Sequence, residues 1–207
     1  MNQKNPLGLN SCFLDLDDPI ELFNLWMDDA KKSEPNDPNA VSLATSNNNF
    51  PSVRMVLLKD FSQSGFIFYT NLNSQKGNEL KENPKAAMCF HWKSLLRQIR
   101  INGVVTQVAD DVADRYYNSR SYESRIGAWA SKQSKELTSR DQLIDSINEY
   151  KDKYNDENNV PRPSHWSGWI LSPQSIEFWL DGDGRIHERL KYVKDRNGQW
   201  IKSLLSP

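Results

Sequence analysis

Val53-Arg54-Met55-Val56-Leu57-Leu58-Lys59, followed within a few residues by Gly65-Phe66-Ile67-Phe68-Tyr69-Thr70, reads as two β-strands separated by a turn at Ser64-Gly65. Both runs are rich in β-branched and aromatic side chains and too short for a helix. Similar runs flank them at 40–45, 85–92 and 97–108, with Asn83-Pro84 as a further turn signal, so the first half of the chain predicts an antiparallel meander. On the N-terminal side, Asp18-Pro19 marks a helix start, and Ile20, Phe23, Trp26 and Met27 recur at helical spacing. That helix should stop near residues 30–33, before the breaker loop Glu34-Pro35-Asn36-Asp37-Pro38.

On the C-terminal side, Ser74 can cap a short helix through Leu80, interrupted only by Gly77. Helical patterns follow at 110–120 and, more clearly, at 139–154, where Leu143, Ile144, Ile147 and Tyr150 share a face. Strands are then expected at 168–171, 175–180, 185–193 and 199–204, the last two joined by the hairpin signal Asn197-Gly198. The sum is a mainly β fold with flanking helices: one domain over 18–207, built as a closed or partly closed antiparallel barrel, behind a flexible N-terminal segment 1–17.

Bulk composition narrows the function. The chain has 207 residues, 37% hydrophobic and 26% charged, with seven tryptophans to bury, which is a globular balance. A net charge of -1 gives no global field for nucleic acid or an anionic membrane. Cys12 and Cys89 lie far apart and fit no zinc or redox spacing, so no metal site is expected and a reduced, cytoplasmic setting is the simplest account. Residues 1–10 lack a signal-like apolar core and no run is long and apolar enough to span a bilayer, so neither secretion nor membrane insertion is expected.

Several stretches could carry chemistry. In Arg185-Ile186-His187-Glu188-Arg189, alternation along a strand would put residues 185, 187 and 189 on one face, where an anion would relieve their repulsion. Trp179, just before the turn Asp181-Gly182-Asp183-Gly184, could lie beside that face; a solvated edge strand is the plainer alternative. For the cations Arg54 and Lys59, the snorkelling ends of a buried strand are the plainer alternative. Ser74-Gln75-Lys76 at a helix start offers a hydroxyl and a lysine to a phosphate, or simply a cap. Tyr116 and Arg120, four apart, would share a helix face and, with Ser124, could hold a second phosphate.

Four blocks in order resemble the pyridoxamine 5'-phosphate oxidase family: Arg54 to Lys59, Phe68 to Lys76, Ile126 to Ser134 with its Gly-Ala-Trp and Lys-Gln-Ser, and Ile176 to Arg189 with Glu-Phe-Trp and R-x-H-x-R. The resemblance implies an FMN-binding split β-barrel of Greek-key type, forming a homodimer whose sites draw on both subunits. It implies FMN contacts at Arg54, Met55, Val56, Leu57, Leu58, Lys59, Tyr69, Thr70, Gln75, Lys76, Gln98, Gln133, Ser134, Trp179 and Arg189. Arg54, Lys76 and Ser134 would serve the phosphate end. For the substrate it implies Lys59, Tyr116, Arg120 and Ser124 around the vitamer phosphate, with Arg185 and His187 over the ring in orienting roles.

The implied reaction oxidises pyridoxamine or pyridoxine 5'-phosphate to pyridoxal 5'-phosphate, with O2 giving H2O2. A split-barrel relative that binds flavin or pyridoxal phosphate without turnover is the alternative. The chain departs from the family pattern at Gln75, where an arginine is usual, at Ser121-Tyr122 after Arg120, where Pro-Arg is usual, and at Leu204 in place of a C-terminal arginine. An arginine at position 75 is accordingly expected to tighten FMN binding.

Overall fold

Asp18 accepts a hydrogen bond from the Ile20 amide at 2.8 Å with Pro19 in the first turn, so α1 (Pro19–Ser33) starts where the capping signal places it. The computed structural model describes residues 5–207. After the breaker loop come β1 (Ala40–Asn47), β2 (Phe50–Leu57), the short β3 (Asp60–Ser62), β4 (Gly65–Asn71), α2 (Gln75–Glu82), β5 (Lys85–Trp92) and β6 (Arg97–Gln107). They are followed by α3 (Asp110–Asn118), α4 (Tyr122–Ala130), α5 (Arg140–Lys153), β7 (Trp166–Leu180), β8 (Glu188–Lys194) and β9 (Trp200–Leu204). Among the described residues no helix is long and apolar enough to cross a membrane.

Every strand pairing is antiparallel, in the order β2-β1-β5-β6-β7-β4-β3, with β8 and β9 continuing from β7. The 15-residue β7 organises this sheet. One edge pairs with β6 along most of its length; on the other edge its first half takes β4, through residues 166–171, and its second half takes β8, through residues 175–180. Two strands were expected here, at 168–171 and 175–180. Instead the ladder runs on past Pro173, because a register shift at Asn102/Gly103 accommodates a residue that cannot donate a ladder hydrogen bond.

The sheet curls around α1. Phe23 meets Phe61 of β3 at 4.8 Å, Phe66 of β4 at 4.9 Å and Phe90 of β5 at 5.4 Å between ring centroids. Because β3 and β5 lie far apart in the strand order, one side chain can touch both only if the sheet rolls into a barrel. Trp26, packed edge-on against Phe13 and Phe178, extends the same core. Edge-to-face pairs of this kind add to the ~1.5–3 kcal/mol that burial of each large apolar side chain contributes.

Two expectations change. The flexible segment expected over 1–17 is docked where it is described: Phe13 is fully buried, Cys12 O accepts from Trp26 Nε1, and Leu16 O accepts from the Tyr192 hydroxyl, both at 2.8 Å. The part of that expectation on residues 1–4 lies outside the described residues. The second change is β2, which is an edge strand of the sheet and not a buried one. Ser52, Arg54 and Val56 turn inward while Val53, Met55 and Leu57 form an exposed apolar strip, at 70%, 61% and 39% exposure.

Candidate functional site

The exit of β4 and the entry of α2 build the first wall of a 690 Å³ cavity. Ser74, fully buried, accepts from the Gly77 amide and donates to Asn71 O at 2.7 Å, which turns the chain sharply into the helix. A Cβ on Gly77 would stand 2.4 Å from Leu72 O, so only glycine lets α2 come this close to the strand it leaves. This turn aims Lys76 into the cavity, where its ammonium donates to Gln133 Oε1 at 2.8 Å and Thr70 Oγ1 at 3.1 Å. Its acceptors are amide and hydroxyl oxygens, and no carboxylate among the described residues pairs with it. Burial, reinforced by the nearby Arg54 charge, lowers its pKa below the usual lysine value.

Aromatic rings form the second wall. Tyr69 stacks on Tyr116 at 4.0 Å and on Trp166 at 5.3 Å, with interplanar angles of 15° and 8°. Burial, with Tyr116 beside it, pushes the Tyr69 phenol above its ordinary pKa. Arg120 lies with its guanidinium carbon 4.8 Å from the Trp166 ring centre, and Lys59 stands 6.0 Å from that of Tyr116. Arg120 Nη1 is buried without a hydrogen-bond partner among the described residues. A buried donor of this kind costs free energy until an acceptor arrives. Ser121 and Ser124, linked through their hydroxyls at 2.9 Å, complete this end of the cavity.

The expected site residues fall into distinct places. Met55, Val56, Leu57, Lys59, Tyr69, Thr70, Lys76, Tyr116, Arg120, Ser124 and Gln133 line the one cavity. Leu58 instead packs into the core. Arg54 stands behind the Lys76 wall, ion-paired to Glu79 at 2.9 Å, and Gln75 donates to the same carboxylate at 2.8 Å. Ser134 borders two smaller clefts beside the cavity.

Gln98, Trp179 and Arg189 form one rung across β6, β7 and β8. Tyr69 faces Gly168, and Trp179 lies eleven positions further along β7, roughly 36 Å of strand at 3.3 Å per residue. One protomer therefore keeps these two sets of residues at opposite ends of its longest strand.

Two local expectations are corrected. Arg185 and His187 do not share a strand face with Arg189: the turn after Asp181 continues as a 3-10 turn over Asp183–Arg185, Arg185 adopts φ 66°, and β8 begins only at Glu188. His187 instead lies 4.6 Å from the Trp179 ring, with Nδ1 3.0 Å from Asp181 Oδ1. Arg120 is not on the face of α3, which ends at Asn118; it sits in the turn where Ser121 caps the next helix. That helix, α4, escaped sequence reasoning, although Ser121 followed by Ile126 and Ala130 was a usable capping-and-face signal. Cavity residues also missed are Asn71, Trp166, Ala128 and Ser131.

Residues 27–154 match the family model described as pyridoxamine 5'-phosphate oxidase, and residues 166–207 match the pyridoxine 5'-phosphate oxidase C-terminal dimerisation region. A protein of Pelagibacter ubique named pyridoxine/pyridoxamine 5'-phosphate oxidase is 73% identical over 208 residues, covering all of both chains. One of the same name from Allorhizobium ampelinum is 53% identical over 197 residues, covering 94% of this chain and 95% of its own. Among solved structures, PhzG of Burkholderia lata, in complex with tetrahydrophenazine-1-carboxylic acid, superposes with a TM-score of 0.88 at 30% identity, covering 95% and 96% of the two chains.

Proposed function

Since this chain belongs to the pyridoxamine 5'-phosphate oxidase family, we propose that it oxidises pyridoxamine 5'-phosphate and pyridoxine 5'-phosphate to pyridoxal 5'-phosphate, using FMN and O2. The observation that carries this reading is a single cavity with a cationic group on each wall, Lys76 without a carboxylate partner among the described residues and Arg120 with an unpartnered Nη1, lined also by a stack of flat rings. Two phosphate-bearing flat molecules, cofactor and substrate, suit that arrangement.

The residues present fit FMN. Lys76, with Thr70 and Gln133 around it and Arg54 behind, would hold its phosphate through charge-assisted hydrogen bonds. Met55 and Leu57 offer apolar contact at the cavity's open edge. Gln98, Trp179 and Arg189 would contribute from a second copy, because within one protomer they stand at the far end of β7. The exposed strip of β2 and the match of residues 166–207 to a dimerisation region support a homodimer that brings the two sets together.

When bound, FMN supplies the acceptor for the hydride leaving C4' and passes the electrons to O2, giving H2O2. The alcohol becomes the aldehyde directly; the amine becomes it with uptake of water and release of ammonia. The protein's own work is placement. Arg120, Lys59, Tyr116 and Ser124 would fix the vitamer phosphate, so the ring is held at one end before reaction. Arg185 and His187 would orient the ring from the partner's side, with the Trp179 ring beside His187 limiting its rotation. The Tyr69, Tyr116 and Trp166 stack would give that wall a flat apolar surface against the bound rings.

The purified protein should be yellow and should convert pyridoxamine phosphate to the aldehyde with stoichiometric peroxide. Retained FMN without product would overturn the oxidase reading and leave a flavin-binding protein.

A further inference from the structure

Glu79 is a charged residue only 6% exposed, and it belongs to neither wall of the cavity. Its Oε2 accepts from Thr45 Oγ1 and from Arg54 Nη2, the latter at 2.9 Å; its Oε1 accepts from Ser52 Oγ at 2.7 Å and Gln75 Nε2 at 2.8 Å. The carboxylate therefore joins β1, β2 and α2 at one point. Arg54 is further fixed by Nη1, which donates to Thr45 Oγ1 and Leu43 O.

Such saturation of one carboxylate does more than balance a charge. Arg54 and Lys76 are like charges: burial lowers the lysine's pKa most, the Arg54 charge lowers it further, and the Glu79 carboxylate, one helical turn on from Lys76, acts in the opposite direction. Left to itself, a long arginine side chain would swing away from the lysine, and an arriving anion would have to bear the cost of recalling it. With Glu79 in place the guanidinium keeps its position, and so does the start of α2 that aims Lys76.

We propose that Glu79 is a positioning residue for the phosphate end of the cofactor site, holding Arg54 beside Lys76 before the anion arrives. The inference rests on the reading that the FMN phosphate lies against Lys76. The network also accounts for Gln75: its amide is already committed to Glu79, so an arginine there would meet this carboxylate before it met a phosphate.

The test compares FMN with riboflavin, which lacks the phosphate, by fluorescence quenching on the full-length apoprotein. Glu79→Gln should weaken FMN ~10-fold and leave riboflavin unchanged, the size expected for one misplaced charge-assisted hydrogen bond. In an Arg54→Ala background the same change should no longer weaken FMN, since the weakening is transmitted through the arginine while the direct charge effect of Glu79 on the phosphate is repulsive. Unchanged or tighter FMN binding in Glu79→Gln would overturn the proposal, as would an equal loss of FMN and riboflavin, or full additivity with Arg54→Ala. Lys76→Ala separates the two levels. If it leaves the ratio of FMN to riboflavin affinity unchanged, the phosphate lies elsewhere and the underlying reading fails. If it lowers that ratio while Glu79→Gln does not, only the role of Glu79 fails.

Discussion

The Tyr69 ring lies over Gly168 on the neighbouring strand, so close that a Cβ on Gly168 would sit 2.7 Å from Tyr69 Cε1. The absent side chain is what lets Tyr69 lie flat against Tyr116 and Trp166. Gly168→Ala should displace the stack, lowering stability by about 1–3 kcal/mol as overpacking does. Denaturant midpoints and the near-ultraviolet circular dichroism of the aromatic rings check both effects.

Arg120 presents a sharper dissociation between stability and binding. Its Nη1 is buried without a partner among the described residues, so Arg120→Ala removes an uncompensated donor as well as the substrate contact proposed for it. The thermal midpoint of the apoprotein should hold or rise, while KM for pyridoxamine phosphate rises on the order of 10- to 100-fold. A fall in both would mean that the guanidinium is structural.

Arg185 and Arg189 should separate cofactor from substrate. Arg189 donates to Glu177 through Nε at 2.9 Å and Nη2 at 2.7 Å, so Arg189→Ala should weaken flavin retention and also destabilise the buried Glu177. Arg185, in a left-handed turn and without such a partner among the described residues, can be cut to alanine with flavin retained and oxidation impaired. Flavin content after dialysis and kcat/KM read the two outcomes.

Val53 is exposed at 70% on the apolar strip of β2, so Val53→Asp should be tolerated by the isolated protomer. It should nonetheless shift the sedimentation profile toward monomer and lower flavin retention, because the contacts proposed for Gln98, Trp179 and Arg189 would come from the partner. A dimer that persists with full flavin would place the interface on another face.

Glu79 sets an acid limit on stability. Burial raises a carboxyl pKa, but the hydrogen bonds from Thr45, Ser52, Gln75 and Arg54 outweigh that and bring it from 4.5 to about 2. A depressed folded pKa means that the contribution is complete above pH 4.5 and fades as pH falls toward 2. Urea midpoints measured across that window should drop more steeply for the wild type than for Glu79→Gln. At the other extreme, the lowered pKa of Lys76 makes FMN affinity decline as pH rises, beginning below the ordinary lysine value of 10.5.

Much of this was legible along the chain. The α1 cap, the strands of the first half and the Asn197-Gly198 hairpin follow from patterns a few residues long, and the structure keeps them. The four family blocks pointed to the cavity, which gathers most of the residues they implied. What misled was local geometry with two solutions. Arg185 to Arg189 alternates as a strand would, yet the two glycines before it let the chain coil into a 3-10 turn instead. The gap expected between 171 and 175 is also closed, because a bulge at Gln174 of β7 carries the ladder past Pro173.

The sequence by itself determined the class of fold, the anion-seeking residues and their family, because periodicity, caps and motifs are written within short windows. Only the tertiary structure decided which of those residues meet. Lys76 and Arg120 share one cavity, while Trp179 and Arg189 stand at the other end of β7. It also brought Glu79 beneath Arg54, 25 residues away in sequence. Strand pairing and barrel closure set such distances, and no short window of sequence contains them.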